Sequence, residues 1–340
     1  MVSAAWRSLY LSYLCLVFLA IAPASAQEVK PWTVAVAGPM SGDSAHLGSA
    51  MVDGAQLRID QINSNGGVNG RQIALEIYDD ENDPRTAAII AEKIAKNPNN
   101  LMVIGHRTSG ASIAAGPVYS ANGIPAITGT ATADEVTAEN PWYFSATYNN
   151  SLQADFIANY VKNVLGYRTA TLISSSSVYG NSLAKAFVEA SERLPLEITH
   201  QYSVVADSPD IDFDMADIVA ELSFMPDSGI VFLAMNAVNA AHFVREMRNS
   251  GFTLPIIGPD SINQQFPLNF EPDTVLKTRP GDFTDQIYAT TAMIWDVANE
   301  NAVNFRDTFR EIHGRVPDSS HALYYDATMI AIEAIRLSLI

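Results

Sequence analysis

The sequence predicts an α/β protein built as two doubly wound parallel-sheet lobes joined by a hinge, and three observations carry that prediction. Short β-branched runs alternate with amphipathic helical patterns from Pro31 onward. The strand runs are almost continuously apolar, as parallel strands covered on both faces must be. The alternation falls into two series with no low-complexity linker between them, so close crossings rather than a flexible tether join the lobes.

Taken in order, the chain first shows an export signal. Arg7 precedes an apolar run from Leu9 to Ile21 that ends in Ala24-Ser25-Ala26. This is the pattern of a secretory signal peptide over residues 1–26, cut before Gln27, and the run is too short for a comfortable membrane span. Tyr13-Leu14 lack the small residues of a lipoprotein cleavage site, so no lipid anchor is expected at Cys15. That residue is the single cysteine of the 340-residue chain. Once exported, the protein has no disulfide and no thiol nucleophile, and its stability must come from burial. The net charge is −17, and losing Arg7 makes it one unit more negative. Nucleic acid is a poor partner for such a surface.

The first strand is Trp32 to Ala37, followed by a turn at Gly38-Pro39 and a helix with Met51, Ala55, Ile59 and Ile62 on one stripe. Asn65-Gly66-Gly67-Val68-Asn69-Gly70 stops that helix and leads into a strand from Ile73 to Tyr78. Asp83-Pro84 starts a helix with Ala87, Ile90, Ala91 and Ile94 inward. Next come the strand Leu101 to Gly105, a helix from about Ser109 to Ala121, and the strand around Ile124 to Thr128. The second series places helices near Ser151–Val164, Asn181–Arg193, Met215–Leu222 and Ala240–Asn249. Its strands are at Thr169–Ile173, Ile198–Ser203, Ile230–Ala234 and Pro255–Gly258. Two more helices, near Thr291–Gly314 and Ala322–Leu339, can return to the first lobe. The resulting division is residues 27–148 with 279–340 as lobe 1 and residues 149–278 as lobe 2.

Ligands of open parallel sheets collect at the carboxyl ends of the strands. Here those loops are rich in hydroxyls: Ser41-Gly42, then His106-Arg107-Thr108-Ser109-Gly110, then Gly129-Thr130-Ala131-Thr132. Helix N-termini at these points offer unpaired N–H groups and partial positive charge to a ligand carboxylate. Ser109 and Thr132 are equally suited to capping helices. In the second lobe Tyr179-Gly180, Asn236 and Asp260 follow strand ends. Asp260 can receive a ligand ammonium or cap a helix. A carboxylate seat on one lobe facing an ammonium acceptor on the other makes an amino-acid cleft.

These residues carry a resemblance. Gly38-Pro39-Met40-Ser41-Gly42, Asn65 to Gly70, Tyr78-Asp79-Asp80 with Asp83-Pro84, Val103-Ile104-Gly105-His106, Tyr179-Gly180, Gly258-Pro259-Asp260 and Tyr325-Asp326-Ala327 stand in an order and spacing similar to the periplasmic branched-chain amino acid binding proteins. These are the type I solute-binding proteins of ABC transporters. The resemblance runs from about Trp32 to Ala327. It implies a Venus-flytrap fold with three interlobe crossings, hinge closure on the ligand, a periplasmic location, a monomer, and delivery to an inner-membrane permease. It implies no cofactor and no metal. Position by position, Ser109, Thr108, Thr132 and the backbone near Thr130 hold an α-carboxylate, Asp260 takes the α-ammonium, and Tyr179 and Asn236 complete the binding set. Leu47 replaces a customary aromatic, Asn236 a customary tyrosine, and His321 another aromatic. Polar amino acids, amides and urea-like ligands therefore stay open beside the aliphatic ones. The chain stops at Ile340 where relatives continue, so either a fragment or a longer receptor is expected, and a ligand-sensing role stands as the alternative to transport.

Catalysis is not expected. The sequence has no G-x-S-x-G elbow, P-loop, G-x-G-x-x-G or H-E-x-x-H, and its six histidines lack metal-ligand spacing. His106 has no nucleophile paired with it in sequence and reads as a structural histidine. Asp79-Asp80 reads as a turn and helix-start feature rather than a glycosidase pair.

Overall fold

The computed structural model describes residues 30–206, 208–225, 227–262, 266–270 and 281–338. The export signal at residues 1–26 lies outside the described residues. The fold begins at Trp32.

The first lobe is a parallel sheet of β1 (Trp32–Gly38), β2 (Ile73–Asp79), β3 (Asn100–Gly105), β4 (Ala126–Thr128) and β5 (Tyr143–Ser145), in the order β2-β1-β3-β4-β5. Helices cover both faces. On one, α1 (Ala45–Ser64) places Met51, Ala55, Ile59 and Ile62 against Val34, Val36 and Ile104. All four residues of the predicted stripe are buried, and full burial of a side chain such as Ile59 contributes about 1.5–3 kcal/mol. On the other face, α2 (Pro84–Lys96) and α3 (Ser109–Asn122) pack Ala91, Ile94, Ala115 and Tyr119 against Ala35, Ala37 and Val103. Asp83 caps α2 as expected, accepting from the Thr86 amide at 2.8 Å, with Pro84 in the first turn.

The second lobe repeats the plan. Its strands are β6 (Thr169–Ser175), β7 (Glu197–Val204), β8 (Ile230–Ala234), β9 (Ile256–Gly258) and β10 (Ile287–Ala289), all parallel, in the order β10-β9-β8-β6-β7. The helix α4 (Asn150–Asn159), which runs on as a π-turn over Tyr160–Val164, shares one face with α5 (Val178–Arg193). The opposite face carries α6 (Ile211–Leu222) and α7 (Ala237–Asn249).

The C-terminal helices α8 (Glu300–His313) and α9 (Ser319–Ser338) do return to lobe 1. Tyr324, Ala327, Ala331, Ile332 and Ile335 of α9 complete the core under α1, and Phe305 and Phe309 of α8 pack with Leu57 and Ala322. The approach of α9 to α1 is close enough that a Cβ at Gly54 would stand 2.3 Å from the His321 carbonyl oxygen, so only glycine fits there. The return occurs later than residue 279. Ile287–Ala289 still pairs with Ile256–Gly258, so the chain leaves the second sheet after Ala289. The helix expected from Thr291 begins at Glu300, where the Asn299 side chain accepts from the Ala302 amide at 3.0 Å. Of the three crossings that the resemblance implies, two lie among the described residues: one between β5 and α4, the other after β10.

Candidate functional site

Both sheets reverse their winding at an internal point, between β1 and β3 in lobe 1 and between β6 and β8 in lobe 2. Such switch points leave a crevice at the strands' carboxyl ends. The two crevices face each other here. The first turn of α3 approaches the first turn of α5, where a Cβ at Gly110 would lie 3.7 Å from Val178 Cγ2.

On the lobe 1 side, Ser109 opens α3 and is 3% exposed. It does not cap its own helix. Its Oγ accepts from the Ala133 amide at 3.2 Å, which ties the loop after β3 to the loop after β4. Thr132, 2% exposed, keeps a buried Oγ1 without a hydrogen-bond partner. Thr108 precedes the helix in extended backbone and its side chain makes no cap bond. The amides of the first turn of α3 have no carbonyl of their own helix to bind. Ser109, Thr108, Thr132 and this helix end thus form one polar, positively polarised surface.

Thr130 turns its hydroxyl and its amide into the loop. Its hydroxyl donates to the Arg107 carbonyl at 2.9 Å and lies 2.8 Å from the Tyr324 hydroxyl, while its amide donates to Thr128 Oγ1 at 3.2 Å. Thr128 Oγ1 also accepts from the Ala131 amide at 3.0 Å and donates to the His106 carbonyl at 2.9 Å. The Thr130 amide and hydroxyl therefore brace the loop.

His106 is fully buried, as a structural histidine should be. Its Nδ1 lies 2.7 Å from Asp80 Oδ2 and its Nε2 2.8 Å from the Tyr119 hydroxyl. Burial first, and then the neighbouring Tyr143 and Asp80, push the Tyr119 phenol well above its ordinary pKa, so Tyr119 stays protonated.

On the lobe 2 side, Asp260 Oδ1 accepts from the Tyr179 hydroxyl at 3.0 Å and from Gln153 Nε2 at 3.1 Å. Among the described residues Oδ2 has no hydrogen-bond partner. Burial, reinforced by the Asp260 charge, raises the Tyr179 phenol far above its ordinary pKa, which keeps it a donor to that carboxylate. Tyr179 is held by the tight first turn of α5. A Cβ at Gly180 would come within 2.4 Å of the Ser175 carbonyl oxygen, and Ser177 caps the turn by accepting from the Gly180 amide at 3.0 Å. The Asn236 side-chain oxygen accepts from the Asn239 amide at 2.9 Å as the cap of α7.

Gln153 and Thr290, which the sequence reading passed over, join the two halves together with the polar crossing residues Tyr148 and Asn150. Gln153, 3% exposed on α4, sends its Nε2 to Asp260 and to Thr290 Oγ1 at 2.9 Å, with the Tyr148 hydroxyl at 3.4 Å. Tyr148 and Thr290 belong to the two interlobe crossings, so one amide links both crossings to Asp260. Asn150 donates its amide to the Thr132 carbonyl at 2.7 Å, and its Nδ2 lies 3.4 Å from the Tyr179 carbonyl. Along this path the buried oxygens Thr132 Oγ1, Asn150 Oδ1 and Gln153 Oε1 have no partner among the described residues. Gln153 did carry a signal, since it shares an i, i+4, i+8 stripe with the buried Ile157 and Val161.

The arrangement complements a small zwitterion, with donors and a helix N-terminus on lobe 1 and, on lobe 2, a carboxylate whose Oδ2 has no partner among the described residues. Among the described residues no group of three or more His, Cys, Asp or Glu side chains is placed to hold a metal ion.

Residues 31–338 match the periplasmic binding protein family. The chain is similar to the Leu/Ile/Val-binding protein of Escherichia coli (strain K12), with 26% identity over 275 residues, 80% of this chain and 72% of that one. Among solved structures it is similar to the branched-chain amino acid transporter substrate-binding protein LivJ from Streptococcus pneumoniae, in complex with isoleucine. The TM-score there is 0.77 and the identity 26%, covering 90% of this chain and 84% of that chain. A solute-binding protein of an ABC transporter from R. palustris, in complex with benzoate, shares the fold with a TM-score of 0.75 at 21% identity, over 90% of this chain and 81% of that one.

Proposed function

The chain belongs to the periplasmic binding protein family, whose members are solute-binding proteins and not enzymes, and from that premise we propose that it captures a free α-amino acid between its lobes for delivery to the permease of an ABC transporter. One observation carries the choice of ligand. Ser109, Thr132 and the N-terminus of α3 stand on one side of the crevice and Asp260 on the other, joined through Asn150, Tyr179 and Gln153. The α-carboxylate takes the lobe 1 donors and the α-ammonium takes Asp260 Oδ2. Neither lobe satisfies both charges alone, so the ligand favours the closed arrangement by its differential affinity for it. Binding asks no covalent chemistry of the protein. Export through the signal at residues 1–26, a periplasmic location and a monomeric state belong to the same reading.

A thermal-shift screen of ligand-stripped protein against amino acids, amides, urea and aromatic acids tests it. Ligand at about 100 times its Kd adds about 2.7 kcal/mol of stability, a shift of several degrees. Stabilisation by α-amino acids is the expected result. Stabilisation confined to molecules without an α-ammonium would overturn the amino-acid reading.

A further inference from the structure

Arg107 lies between the buried His106 and the binding loop at Thr108-Ser109. Its carbonyl oxygen accepts from Thr130 Oγ1, and its guanidinium reaches the first turn of α9, where one NH2 group donates to Ser320 Oγ at 3.3 Å. A guanidinium has five N–H donors. That contact is the one side-chain bond Arg107 makes among the described residues, and its buried Nε has no partner.

Among the described residues no acid makes a direct ion pair with Arg107, although its charge adds to the His321 contacts that hold the Asp318 carboxyl below its ordinary range against the opposing effect of burial. Asp318 Oδ1 is 2.6 Å from His321 Nδ1, and Asp53 Oδ2 is 2.7 Å from Arg315. Asp260 stands on the other lobe, held by Gln153 and Tyr179. Arg107 is thus a partly buried cation with no ion pair among the described residues, adjoining in sequence the seat proposed for the ligand's carboxylate end. Keeping such a charge out of bulk water without a direct acid partner is costly, and its planar fork matches a carboxylate in bidentate geometry.

We propose that the captured amino acid carries a second carboxylate on its side chain, and that Arg107 binds it and determines specificity. The inference rests on the amino-acid reading above and narrows it from amino acids in general to the acidic ones. Each charge of the ligand then has its own partner: the α-ammonium at Asp260, the α-carboxylate at the N-terminus of α3, and the side-chain carboxylate at Arg107. The chain's net charge of −17 offers such a ligand no long-range attraction, so recognition must be local.

Calorimetric titration of the ligand-stripped protein with L-glutamate, L-aspartate, L-glutamine, L-asparagine and L-leucine tests this, on wild type, Arg107→Leu and Arg107→Lys. In wild type the acidic amino acids are expected to bind at least about tenfold tighter than their amides. Arg107→Leu should reduce the acid-to-amide affinity ratio on the order of 100-fold, and Arg107→Lys should restore part of it. A wild type that prefers leucine or the amides overturns the proposal while leaving the amino-acid reading intact. An Arg107→Leu variant that weakens all five ligands by one common factor, in a protein with native circular dichroism, reduces Arg107 to a structural brace and also overturns it. Binding of none of the five, with another class of solute bound instead, removes both readings together.

Discussion

Asp260→Ala is expected to weaken capture of an α-amino acid by about 2–5 kcal/mol, on the order of 30-fold to several thousandfold in Kd. The loss has two sources. The ligand's ammonium loses its counter-charge in a crevice that closure dries. The Tyr179 hydroxyl and Gln153 Nε2, which both converge on Asp260 Oδ1, also lose their acceptor. Asp260→Asn separates these contributions, because an amide oxygen still accepts from Tyr179 while the charge is gone. Calorimetry should place Asp260→Asn between wild type and Asp260→Ala. An Asp260→Ala protein with wild-type affinity would remove Asp260 from the site.

The second large effect concerns stability. Asp80→Ala is expected to destabilise lobe 1 by about 3–5 kcal/mol, the usual result of breaking a fully buried polar pair from one side. Asp80 is fully buried, with Oδ2 on His106 and Oδ1 accepting from the Asn82 amide at 2.9 Å. Removing the carboxylate strands both partners. Asp80→Asn, which keeps an acceptor, should cost less. The readout is the urea midpoint of the lobe 1 transition at constant m-value, since a two-lobed chain need not unfold in one step. The same substitution should loosen the ligand loop, because the His106 carbonyl holds Thr128 and through it the Thr130 and Ala131 amides. A loss below about 1 kcal/mol would show that the triad of Asp80, His106 and Tyr119 is not what secures that loop.

Both lobes were legible because their strands and helices announce themselves over many residues. The α1 stripe from Met51 to Ile62 and the Asp83-Pro84 helix start are read directly from residue type and spacing. Two strands, Tyr143–Ser145 and Ile287–Ala289, were not, because three residues at a sheet edge, partly exposed, carry no periodic signal. Missing the second put the return to lobe 1 eleven residues too early.

Within the site, residue type separated charge from charge but not spent hydroxyls from open ones. Thr132 Oγ1 has no partner among the described residues, whereas Ser109 Oγ meets the Ala133 amide, the Thr130 hydroxyl is used by Arg107 and Tyr324, and Asn236 Oδ1 by its own helix. Those differences depend on which loop the fold brings alongside, and a linear reading holds no record of it. Gln153 was overlooked for the opposite reason. A polar residue on the inward stripe of a helix looks like a flaw in amphipathicity until Tyr148, Thr290 and Asp260 are seen around it.

The central claim is that the crevice recognises both ends of an α-amino acid at once. It is tested most directly by titrating ligand-stripped protein, in a calorimeter, with the best-binding amino acid, its 2-hydroxy analogue and its α-methyl ester. The account predicts that each analogue loses about 2–5 kcal/mol relative to the parent, the hydroxy acid at Asp260 and the ester at Ser109 and Thr132. Equal affinity of either analogue and the parent would contradict it.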